Sequence, residues 1–149
     1  MNGMSANQEE IDMKLTQLGA KVTSLHGIIS FIHFYFGQTE LSYVYNINVK
    51  DKFFLQMVKP YPLAAGVFSN SQEMGQYIKN DIRQFQNASK SNVFNEFITV
   101  NKNLCESVQT IKDVFMSYNI PKDKMKQVRE KADELSGLLR EIKKTSPSL

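Results

Sequence analysis

The apolar residues Ile11, Leu15, Leu18, Val22, Leu25, Ile29, Ile32 and Phe36 recur at alternating spacings of four and three. That period of 3.5 keeps one stripe facing a partner helix. It predicts a single N-terminal helix over 5–36, with Leu15, Val22, Ile29 and Phe36 at a positions of the heptad abcdefg. Ile11, Leu18, Leu25 and Ile32 then fall at d. Ser5 followed by Gln8 fits a capping box, and Glu9, Glu10 and Asp12 put negative charge at the positive end of the helix dipole. Gly19 and Gly27 count against the helix, each about 1 kcal/mol less favourable than Ala in its interior. Two readings of the stripe stand side by side. It is either the seam of a coiled coil, with Leu15, Leu18, Val22 and Leu25 as self-association residues, or the core of an intramolecular bundle, which packs in the same way.

Gly37 fits the C-cap of that helix, and beyond it the period changes. Leu41, Tyr43, Tyr45, Ile47 and Val49 alternate with mostly polar residues, which predicts a half-buried strand. A return strand over 53–58 completes a β-hairpin over 41–58, although the turn lacks an Asn-Gly signal and a short buried helix competes for the second half. Lys59-Pro60-Tyr61-Pro62 closes the hairpin and 63–70 reads as loop. A helix follows over 71–87, with Met74, Ile78, Ile82 and Phe85 on one side.

Two more heptad runs complete the chain. Phe94, Phe97, Asn101, Leu104, Val108, Ile111, Phe115 and Tyr118 predict a helix over 91–119. Met125, Val128, Ala132, Leu135, Leu139 and Ile142 predict another over 121–144. So few residues join them that they are expected to fold back as an antiparallel helix hairpin. Asn101, at an a position, either fixes register or bonds a nearby backbone. The expected fold is a mainly α, single-domain helical bundle spanning 1–149, with the C-terminal helix hairpin and a small inserted β-hairpin, and with an α+β architecture as the alternative.

Composition narrows the class. At 149 residues, 42% apolar and 22% charged, the chain has ordinary globular usage. One cysteine, Cys105, excludes an internal disulfide and reads as a buried thiol. With no charged, apolar leader at the N-terminus, a cytoplasmic location is expected. The longest apolar run, 28–36, is too short to span a bilayer. The net charge of +3 resides in 121–149, where eight basic residues face five acidic ones.

Candidate chemistry is sparse. His26 and His33 stand two helical turns apart, roughly 10 Å along the predicted axis, too far to share an ion. There is no Gly-rich phosphate loop, nucleophile elbow, HExxH or paired CxxC. Asn87-Ala88-Ser89 fits a glycosylation acceptor but reads as loop. No cofactor, metal or catalytic residue is predicted. The expected role is a non-catalytic protein–protein interaction module, an adaptor, chaperone-like or regulatory protein, acting as a homodimer or on a protein partner and away from membranes. The alternative is an accessory nucleic-acid-binding protein. It would use Lys122, Lys124, Lys126, Arg129 and Lys131 for phosphates and the tyrosines of the alternating segment to stack bases.

Overall fold

The computed structural model describes residues 6–25, 29–48 and 50–148. Among these the element order is α1 (Ala6–Gln17), β1 (Lys21–Leu25), β2 (Ile29–Phe36), β3 (Thr39–Ile47), β4 (Phe53–Lys59), β5 (Leu63–Phe68), α2 (Ser71–Ala88), α3 (Phe94–Ser117) and α4 (Lys122–Thr145). The chain divides into two compact units, Met1–Cys105 and Glu106–Leu149. The first is built on a five-stranded antiparallel sheet in sequential order, and the second consists of the end of α3 with α4.

This overturns the mainly helical bundle with a small inserted hairpin. The helix expected over 5–36 ends at Gln17, and the reason is local. Ala20 N–H donates to the Leu15 carbonyl at 3.0 Å, Gly19 N–H donates to that of Thr16 at 2.9 Å, and Gly19 has φ +89°. That is a Schellman cap, with Leu15 and Ala20 both buried across it. Gly19 therefore terminates the helix that it was expected to weaken. The rest of the heptad run forms β1 and β2; Ser5, His26, Gly27 and Ile28 lie outside the described residues.

Gly37 likewise changes role. Phe36 pairs with Thr39 across a two-residue loop, and Gly37 at φ +58° supplies the positive φ that such a loop requires at its first position. The hairpin of β3 and β4 turns at Asn48–Lys52, where the Asn48 side chain accepts from the backbone of Lys50 and Lys52, both at 2.9 Å. Val49 lies outside the described residues. The segment expected to be a loop is β5, paired with β4 from Phe53↔Phe68 to Met57↔Leu63.

One face of the sheet carries the core. Ile32 stands opposite Tyr43 and Phe34 opposite Leu41, with Tyr45, Phe53, Leu55 and Met57 continuing that face. Ile11 and Leu15 of α1 and Met74, Ile78, Ile82 and Phe85 of α2 complete the same buried cluster. Asn70 caps α2 by accepting from Glu73 N–H at 2.8 Å, and the Glu73 carboxylate accepts from Ser69 N–H at 3.1 Å. The start of α3 belongs to this unit: the Phe94 and Phe97 rings meet Phe85 at centroid distances of 6.5 and 6.4 Å, and Phe97 meets Tyr61 edge-on at 5.9 Å.

Candidate interaction surface

In the second unit the heptad stripes are formed but not covered. On α3 the a and d positions beyond Cys105 are Val108, Ile111 and Phe115, all exposed, Val108 at 69% and Phe115 at 60%. On α4 the series Met125, Val128, Ala132, Leu135, Leu139 and Ile142 includes no buried residue, and Leu139 is 55% exposed. The buried seam expected between the two helices of a C-terminal hairpin is thus not made. An ordinary surface helix buries its apolar face on its own domain. Here the face is presented to solvent.

The charges flanking these stripes have one sign. On α4 the e and g positions beside the seam are Lys122, Lys124, Arg129, Lys131, Ser136, Leu138, Lys143 and Thr145. The five carboxylates, Asp123, Glu130, Asp133, Glu134 and Glu141, all fall at b, c or f, on the far side of the helix. The flanks of α3 in this unit are Ser107, Lys112 and Val114. Packing one stripe on the other would therefore bring Lys112 against the cations of one α4 edge and offer no carboxylate to those of the other, which opposes closure. The heptad spacing was legible in the sequence, whereas this sorting of sign emerges only when each charge is placed relative to the seam.

The residues first suspected of self-association lie in the first unit. Leu15 is 1% exposed within the core, Leu18 and Val22 are half-buried against it, and Leu25 ends β1 with its side chain outside the description. The five cations proposed to hold phosphates do not share a face. Lys124 and Lys131 lie along one side of the α4 stripe, and Lys122, Lys126 and Arg129 lie towards the other. Lys126 pairs with Glu130 at 3.7 Å and Lys131 with Glu134 at 3.0 Å. Tyr43 and Tyr45, which the nucleic-acid alternative needs exposed for stacking, are 0% and 1% exposed, on the inward side of the strand.

The polar groups of the first unit serve the core. The Tyr43 hydroxyl donates to the Asp81 carboxylate of α2 at 2.5 Å and the Tyr45 hydroxyl to Asp12 of α1 at 3.1 Å, so each covering helix is tied to β3. Burial pushes the Asp81 carboxyl above its ordinary range, and the Tyr43 hydrogen bond only partly offsets this. Burial, with Asp81 beside it, pushes the Tyr43 hydroxyl well above its ordinary range, and Tyr61 and Tyr77 shift in the same direction for the same causes. On the opposite sheet face His33 Nδ1 lies 2.9 Å from Glu40 and Lys59 Nζ 3.2 Å from the other Glu40 oxygen. The hydrogen bond with His33, aided by Lys59, holds Glu40 below the usual carboxyl range.

Neither network gathers a nucleophile with a base, and among the described residues no three His, Cys, Asp or Glu side chains converge to hold a metal ion. The Cys105 thiol is half-buried, rather than buried, and contacts the Pro62 carbonyl oxygen at 3.4 Å. Asn101 donates to the Phe97 carbonyl of its own helix at 2.8 Å. No described helix is long and apolar enough to cross a membrane. Compared with known proteins, the chain matches no family model, no curated protein and no solved structure.

Proposed function

We propose that this chain is a non-catalytic protein–protein interaction module, with the sheet unit as a folded base and the heptad stripes of α3 and α4 in 106–145 as the pairing surface. The observation that carries this reading is the exposure of a regular a/d series on both helices of the second unit. Contiguous apolar surface of this kind marks interaction sites, and strict a/d spacing fits a partner that is itself helical. Placing the surface here removes it from Leu15, whose side chain the sheet unit needs.

The test is the native mass of the chain, purified and in an extract of its own source. In the extract it is expected well above 17.1 kDa. Val108→Glu, Ile111→Glu and Leu139→Glu combined should return it to the monomer mass with its circular dichroism retained. A monomer in both settings, a complex indifferent to these substitutions, or salt-sensitive co-elution with nucleic acid would contradict the reading.

A further inference from the structure

We infer that the partner stripe is a heptad helix flanked by carboxylates, and that the seam of α4 is coded against a second copy of itself; this rests on the pairing role proposed above. In a parallel pair each g residue meets the e residue of the partner's next heptad, and in an antiparallel pair g meets g and e meets e. Two parallel copies of α4 would set Lys124 of each against Arg129 of the other, and in neither orientation would Lys122, Lys131 or Lys143 find an acidic flank. Like charges at these positions choose partners by repelling the wrong one, while opposite charges hasten and stabilise the right one. Lys131 makes an exposed pair with Glu134 on its own helix, a contact of small energy that a partner carboxylate readily replaces.

An anionic membrane is the other surface that would accept a basic-flanked apolar stripe, and α4 fits it less well. Its seam is the narrow two-per-heptad kind, with Leu138 alone beside it, and the helix contains no aromatic residue to seat among lipid headgroups. Its five carboxylates would also face the same anionic surface across a single helix diameter.

The inference is tested on the full chain with three probes: a synthetic peptide of Ile-a, Leu-d heptads carrying Glu at every e and g, its twin carrying Lys there, and phosphatidylcholine–phosphatidylserine vesicles. The Glu peptide is expected to bind about tenfold or more tightly than the Lys peptide, with the gap narrowing as salt rises. Lys124→Glu, Arg129→Glu, Lys131→Glu and Lys143→Glu together should invert the preference. Equal binding of the two peptides, binding of neither, or binding to vesicles alone would overturn the inference. So would a tight homodimer of the pure chain that the seam substitutions dissolve. If the complex in the extract still depends on the seam, such a failure leaves the pairing role intact; loss of that dependence removes the role itself.

Discussion

Asp81 is half-buried on the sheet-facing side of α2, at the end of a hydrogen bond from Tyr43. Its folded-state pKa is raised by burial, so ionisation opposes folding. The burden is nil below the unfolded value of about 3.9. It grows as pH rises between the unfolded and folded values and stays constant above the folded one. Asn at this position keeps an oxygen for the Tyr43 hydroxyl and carries no charge. Urea melts of Asp81→Asn against the natural chain should show a gain in stability at pH 7 that disappears at pH 3; the same difference at both would refute the account of Asp81. Gly19 gives a second test at this scale. A Cβ there would meet the Phe34 ring at 3.5 Å, ordinary contact, so the penalty is conformational. With φ at +89°, Gly19→Ala should cost about 1–2 kcal/mol in a denaturant melt, although the same change inside a helix would stabilise.

The elements show which signals were legible and which were ambiguous. The helix predicted over 71–87 corresponds to α2, and its inward residues Met74, Ile78, Ile82 and Phe85 were readable because one apolar period of 3.6 runs between polar neighbours. β2 was not readable for the opposite reason. Its inward set is Ser30, Ile32, Phe34 and Phe36, with a serine at 0% exposure where the alternation needs an apolar residue, while Ile29, Phe31 and Tyr35 make its other face apolar as well. Ile29, Ile32 and Phe36 then mimic a helical stripe. The branched and aromatic content of that stretch was the better guide. β5 escaped because Leu63–Phe68 is an edge strand whose centre, Ala64-Ala65-Gly66, has no β-branched or aromatic residue and which lies between prolines and a helix cap. The same distinction between core and surface stripes predicts a contrast by circular dichroism and thermal melting. Leu15→Asp should unfold the sheet unit, since it puts a charge at a fully buried position. Leu139→Asp on exposed α4 should change stability by no more than about 0.5 kcal/mol.

At the scale of the whole molecule, one unit has its own core and the other supplies helices whose apolar faces are left uncovered. The first unit surrounds a single apolar cluster drawn from α1, α2, the sheet and the start of α3. The second orders its charges around its stripes and buries nothing along α4. Which unit would leave its apolar stripes uncovered was not readable from heptads alone. The spacing is shared by 11–36, 94–118 and 125–142, and only the fold shows which of these stripes are spent on a core. Hydrogen exchange across 106–145 tests this account most directly, in the pure chain and with the Glu-flanked heptad peptide. Helices held by no tertiary packing open readily, so α4 and the end of α3 should exchange quickly alone. They should slow by about tenfold or more when the peptide binds, while the sheet unit stays unchanged. Strong protection of α4 in the monomeric chain alone, or protection by the peptide that falls on the sheet unit instead, would contradict it.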